Sequence, residues 1–437
     1  MRFILSLILI WTLSLSTLAN AEKTLSSGAA RKTVAPNEVE IRHPGYPRSG
    51  CAIRNPELVS VGIDEAVITW QTAAPMICQL EYGPPGQLTR HLKDASSTTH
   101  HYQVIRSLEP QQAYEFRMVD QDGNPTTINY FKTLKKPGGK YLFSFAAAAD
   151  LHYSPQRERK DGMLFPVSGD IVRELVREVN DGAVDFTILM GDLTHTGSEV
   201  EFEFVKSELT KLKGEVYAVI GNHDIKGDAW QSSFSQISGQ ITRYYSFNHK
   251  GWHFVILDSS KGNIDQDQLD WLKGDLDKYK TKPTMVFLHH WVNRMSIMDD
   301  LASAMWGKSS HIVGSRFIDN HAQLQAIFES YPQVVSVHSG HVHTHLVTQN
   351  NGVTYIAAAA LIQYPVSYNI YRVWEDGYTM STYLLPTRLK DAAQSKNEIM
   401  ALANRKFDNF AFPLGETITG LLWGSLSDRS FTIEVRR

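Results

Sequence analysis

At 437 residues the chain is long enough for two or more domains, and its formal charge of −3 is nearly balanced, so nothing in it points to a nucleic-acid polymer or an anionic membrane as partner. Two cysteines, Cys51 and Cys78, are too few for a disulfide scaffold. In an exported chain they either pair, worth about 3.5 kcal/mol on the loop-entropy argument, or stay as two thiols; spacing leaves both open.

The first residues, "MRFILSLILIWTLSLSTLANA", predict a signal peptide over 1–21. Arg2 supplies the positive end, Ile4 to Leu18 the apolar run, and Ala19-Asn20-Ala21 the small-x-small cleavage site, so the mature chain is expected to begin at Glu22. The apolar run falls short of the roughly 20 residues a spanning helix needs, and no cysteine follows it for lipidation. The expectation is a periplasmic or secreted protein without a stable membrane anchor.

Residues 22–47 are polar, without periodicity, and read as an N-terminal arm. Over 48–134, short alternating runs ("AVITWQT", "ICQLEYG", "HYQVIRSL", "AYEFRMVD", "INYFKTL") are broken by turn signals such as "YGPPG" and "QDGNP", which predicts a small all-β sandwich. Within it Leu108-x-Pro110-x-x-x-Tyr114 resembles the tyrosine corner of fibronectin type III domains, with Trp70 as the core indole. "KKPGGK", 135–140, reads as a hinge.

From 141 to 390, apolar strands ("LFSFAAAA", "DFTILM", "EVYAVI", "HFVILD", "TMVFLH", "VVSVHS", "VTYIAAA") alternate with helical periodicities ("DIVRELVREVN", "FEFVKSELTKL", "QLDWLKGDLDKY"). That alternation predicts a layered α/β domain; 391–437 is left as a C-terminal extension. Ligands in such sheets gather beyond the carboxyl ends of strands, and five of these ends carry the same chemistry. They deliver Asp150-Leu-His152, Gly191-Asp192, Gly221-Asn222-His223-Asp224, His289-His290 and Gly340-His341-Val342-His343. Carboxylate, amide oxygen and imidazole together suit divalent Zn, Mn or Fe. Each piece alone is a commonplace turn or cap; the ordered set of five is not.

The series D-x-H, GD, GNHD, H, GHxH resembles the calcineurin-like metallophosphoesterase superfamily over roughly 141–390, and with the preceding sandwich the layout is similar to purple acid phosphatases. The resemblance implies a four-layer α/β/β/α sandwich holding two metals. Asp150, His152 and His343 would hold one ion, Asn222, His289 and His341 the other, and Asp192 would bridge them. His289 is preferred to His290 because it directly follows the strand; His338 and His345 fall outside the motif. His223 would act on the phosphate, with Asp224 orienting its ring. One departure stands out: purple acid phosphatases carry a tyrosine three residues after the bridging aspartate, where this chain has His195. A colourless divalent pair is therefore expected.

These readings imply an exported hydrolase of small-molecule phosphate mono- or diesters working by attack of a metal-bound hydroxide. The alternatives are a dedicated cyclic-nucleotide or glycerophosphodiester phosphodiesterase and, in another class, a non-catalytic adhesive or metal-binding protein, which would be expected to have lost ligands. Trp291, Asn293, Arg294, Trp306 and Arg316 are candidates to wall a substrate pocket or to form a plain surface insertion. Homodimerisation through the sandwich stays open.

Overall fold

A computed structural model describes residues 50–158, 163–293, 317–385 and 423–435. The leader, the arm, Arg294, Trp306 and Arg316 lie outside the described residues, as does much of 391–437.

Seven strands, β1 (Ile53–Val61), β2 (Ala66–Met76), β3 (Gln79–Gly83), β4 (Arg90–Lys93), β5 (Thr98–Ile105), β6 (Ala113–Val119) and β7 (Asn129–Lys132), form two antiparallel sheets ordered β1-β2-β5 and β4-β3-β6-β7. Alternation sends Ile68 and Trp70 of one sheet and Leu80, Phe116 and Phe131 of the other into one core. Trp70 stacks on His101 at 5.0 Å, and the Tyr114 hydroxyl accepts the Glu109 N–H at 2.9 Å, fastening the corner before β6. Cys51 and Cys78 are both free thiols, and burial pushes Cys78 up to about 11.

The second part is built on two six-stranded sheets. The first contains β8 (Tyr141–Ala148), β9 (Phe186–Met190), β10 (Glu215–Val219), β17 (Ser367–Trp374), β18 (Gly377–Leu384) and β19 (Ser430–Glu434), ordered β10-β9-β8-β17-β18-β19. The second contains β11 (Tyr245–His249), β12 (Trp252–Ile256), β13 (Thr284–Phe287), β14 (Val334–Ser339), β15 (Leu346–Asn350) and β16 (Val353–Ala357), ordered β11-β12-β13-β14-β16-β15. In β8, Phe143, Phe145 and Ala147 face one side and Ala146 and Ala148 the other. The first side meets Phe254, Met285 and Phe287 of the second sheet, and Phe145 lies flat on Phe186 at 5.0 Å and Tyr371 at 4.5 Å.

The outer face of the first sheet is covered by helices Ser168–Asp181, Glu199–Leu209 and Trp230–Ser238, and that of the second by Gln266–Lys278 and His321–Ser330. The result is the four-layer α/β/β/α sandwich.

The expected hinge is instead fastened on both sides. Leu134 N–H donates to Gly62 O at 2.8 Å, and Thr432 donates to Lys135 O at 2.7 Å. A Cβ on Gly138 or Gly139 would run into Asp376 or Glu375, so these glycines serve a close approach rather than freedom. Strand β1 docks on the first sheet: Val61 N–H donates to Ser430 Oγ at 2.8 Å, and Ser381 Oγ donates to Val61 O at 3.0 Å. Arg372 reaches across to Asp64 at 3.0 Å and Glu65 at 2.5 Å. Ser430–Glu434, within the stretch left as an extension, completes the catalytic sheet beside β18.

Candidate metal centre

The parallel strands β8, β9, β10, β13 and β14 bring their carboxyl ends to one rim, and the chain turns sharply there. Asp150, His152, Asp192, His341 and His343 have φ values of 54°, 40°, 49°, 65° and 53°. Non-glycine residues in this left-handed region cost about 1–3 kcal/mol each, a load that concentrates at functional sites. Glycines make the approach possible. A Cβ on Gly191 would strike His289, on Gly221 Asp192, and on Gly340 Asp150.

The turns collect the donors into two groups, Asp150/His152/His343 and Asp192/His289/His341. In the first, His343 Nε2 lies 3.3 Å from Asp150 Oδ1 and 3.3 Å from His152 Nε2. In the second, His289 Nε2 lies 3.1 Å from Asn222 Oδ1 and 3.2 Å from His341 Nδ1. Asp192 Oδ2 joins them, 3.4 Å from His152 Nε2 and 3.2 Å from His289 Nε2. Imidazole nitrogens and carboxylate oxygens converging this closely are arranged for shared cations, because donors about 2.0–2.2 Å from one ion sit about 3–3.5 Å apart. All seven residues singled out as ligands are therefore in one place.

The electrostatics agree. Burial works against charge on His289, yet the Asp192 carboxylate outweighs it and raises the imidazole to about 9. Burial likewise opposes charge on Asp192, but His289 and His152 hold it well below the usual carboxylate range. His343 is raised against its burial by Asp150 and by a hydrogen bond to Gln363. His152, deeply buried, is pushed well down. Without an ion the Asp150 and Asp192 carboxylates draw protons onto His343 and His289, so the donor set favours positive charge at its centre, a role that a pair of divalent ions would fill by displacing those protons.

Other histidines are not among these donors, although the His290 ring lies 4.1 Å from that of His341. His290 hydrogen-bonds Ser259 and is pushed well down by burial. His338 pairs with Ser336 and Tyr371, His345 with Ser367, and burial takes both to about 3.

Two expectations need correction. Asp224 does not orient His223: its carboxylate accepts from Thr194 N and Oγ1 at 2.9 and 2.8 Å and from Gly221 N at 2.9 Å. The orienting partner is the His195 carbonyl, 2.7 Å from His223 Nδ1. Backbone and hydroxyl donors of the neighbouring turns hold that carboxylate, so the role the resemblance implied for it does not hold. Trp291 is 1% exposed and packs near Tyr355 in the core, so it walls no pocket, while Asn293 donates to Thr348 at 2.7 Å.

Sequence reasoning also missed Ser259 at the end of β12, whose Oγ accepts the His289 and His290 N–H groups at 3.1 and 3.0 Å. It missed Gln363 as well. Ser259 was open to discovery, because "HFVILDSS" ends at the same rim.

Residues 143–345 match the family described as calcineurin-like phosphoesterase. The chain carries a calcineurin-like phosphoesterase domain. It is similar to a 3′,5′-cyclic-nucleotide phosphodiesterase of Nostoc sp., 27% identical over half of this chain and 78% of that one. A glycerophosphodiester phosphodiesterase of Enterobacter lignolyticus is 25% identical over half of this chain and 77% of its own length. Among solved structures, a dimetal phosphatase from Danio rerio covers 56% of this chain and 98% of its own, at 16% identity and a TM-score of 0.47. The protein is a metal-dependent phosphoric ester hydrolase.

Within this phosphoesterase domain, His195 occupies the tyrosine position of the purple enzymes and turns Nδ1 toward His152 Nδ1 at 3.5 Å. No phenolate is supplied from that position. The metal-loaded protein is therefore expected to show no intense visible charge-transfer band. A strong purple absorption that survives removal of loosely held iron would overturn this.

Proposed function

We propose that the protein is an exported hydrolase of small-molecule phosphate mono- or diesters, with Asp150, His152 and His343 holding one ion, Asn222, His289 and His341 the second, and Asp192 shared. The observation that carries it is the convergence of seven donors from five strand ends, with Asp192 Oδ2 between the two groups. Two ions bound there would activate a water and clamp the attacking and leaving oxygens of an in-line displacement.

The chain's own residues do the rest. Asp192 Oδ1 accepts the His223 N–H at 2.7 Å, which ties the shared carboxylate to the loop that carries His223. With Nδ1 against the His195 carbonyl, Nε2, which Lys226 Nζ approaches at 2.9 Å, is the ring nitrogen left to face the phosphate, where it protonates the leaving oxygen or steadies developing charge. Asp224 braces that loop. A metal-binding protein without catalysis would not need to preserve every donor together with this placed imidazole.

The names of the two relatives favour a second reading, a cyclic-nucleotide or glycerophosphodiester phosphodiesterase. The leader-like first 21 residues support export to the periplasm or beyond, and Tyr114 with its corner contact supports the fibronectin type III-like reading of 48–134.

The test is a panel of nitrophenyl mono- and diesters, cyclic nucleotides and glycerophosphodiesters, run with Zn, Mn or Fe(II) and again after chelation. Metal-dependent cleavage of at least one class is expected. Full metal occupancy with no cleavage of any ester would return the protein to the binding class.

A further inference from the structure

Building on that reading, we propose that Lys226 senses the charge of the substrate phosphate and tilts the site toward doubly charged monoesters over singly charged diesters. The turn after Asn222 folds back on itself: Lys226 N–H donates to His223 O at 3.3 Å, and Asp224 pins the turn from beneath through Thr194 and Gly221. A Cβ on Gly227 would collide with Gly197, so the turn is also pressed against the loop after β9. This places the Lys226 ammonium 2.8 Å from Nδ1 and 2.9 Å from Nε2 of His223. The ammonium is nearly equidistant from the two nitrogens, and with Nδ1 turned to the His195 carbonyl at 2.7 Å, Nε2, the nitrogen assigned to the phosphate, is the one left to accept from it.

The His223 ring crosses His152 at 90° with centroids 4.4 Å apart, so the Lys226–His223 pair borders the first donor group directly. The Lys226 side chain is exposed, and its flexible stem lets a compact charge move from imidazole to a non-bridging oxygen. A monoester, with a second pKa of about 6, carries nearly two charges above neutrality, whereas a diester carries one. A single placed ammonium therefore favours the monoester, while His223 serves both.

The experiment uses the full-length, metal-loaded protein at pH 8 and measures inorganic phosphate and dimethyl phosphate by calorimetry. Lys226→Met is expected to weaken inorganic phosphate by about tenfold or more and dimethyl phosphate by less than about threefold. Lys226→Arg, which keeps the charge, should recover most of the difference. Equal weakening of the two anions, or none of either, overturns the proposal. Binding is read without turnover, so failure of wild-type protein to cleave any ester would count against the hydrolase reading alone. The parallel kinetic measurement is the ratio of kcat/KM for phenyl phosphate to that for methyl phenyl phosphate, which should fall in the Met variant.

Discussion

Asp192→Asn is expected to lose metal and hydrolysis together. The side chain is 2% exposed and has one oxygen near both donor groups, 3.4 Å from His152 Nε2 and 3.2 Å from His289 Nε2. Its other oxygen accepts the His223 N–H at 2.7 Å. An asparagine matches the shape and can still accept that bond, but it removes the negative charge that the two groups share. It also places an NH₂ where a second acceptor stood, if Oδ1 keeps the His223 contact. Metal stabilisation of transition-state charge is worth several kcal/mol, so activity should fall by about a thousandfold or more, with fewer than two ions retained per chain. Elemental analysis and turnover on the same sample decide it. Two tightly held metals with wild-type rates would remove Asp192 from the bridging position.

What was legible in the sequence was the chemistry that a strand end must announce. Each donor follows a short, mostly apolar strand, because strands buried on both faces read as hydrophobic runs. The end of such a run is therefore sharply defined, and Asp150, Asp192, Asn222, His289 and His341 stand at five of them. The tyrosine corner was legible for a related reason: Tyr114 lies six residues after Leu108, and its hydroxyl ties the backbone at Glu109.

The illegible strands were β1, β4, β11, β15, β17, β18 and β19. They are antiparallel, and the two edge strands of the second sheet, Tyr245–His249 and Leu346–Asn350, mix polar residues into short segments that resemble loops. β19 pairs with β18 across a long stretch of chain, which no local pattern reports. Partners that act through the backbone were also hidden. The carbonyl of His195, not any side chain next to His223, orients that imidazole, and nothing in residue type reveals a carbonyl's direction.

His223→Ala separates a catalyst from a metal-binding protein, and it is the second large effect expected. The ring is held by its Nδ1 against the His195 carbonyl; it clusters with His152 and His195, but it is not among the donors grouped with Asp150 or Asp192. Its backbone N–H, not its ring, bonds Asp192, so alanine retains that contact. Both ions and the fold should consequently survive. Burial holds the imidazole below its ordinary range, with the Asp192 charge opposing that fall. In the resting protein the ring is then largely neutral near pH 7. A proton for the leaving oxygen must arrive with substrate, whose negative charge favours the imidazolium.

A positioned proton donor contributes about 10²–10⁴-fold, and the loss in the alanine variant should lie in that range for an alkyl ester. A nitrophenyl ester has a leaving group that departs with little help, so its loss should be distinctly smaller. A residue that only steadied phosphate charge would cost both esters about equally. Turnover of activated and unactivated esters, with metal content measured alongside, distinguishes these outcomes. Unchanged rates on both would reduce His223 to a structural residue, whereas a selective loss on the poor leaving group would identify it as the acid that completes phosphate ester cleavage.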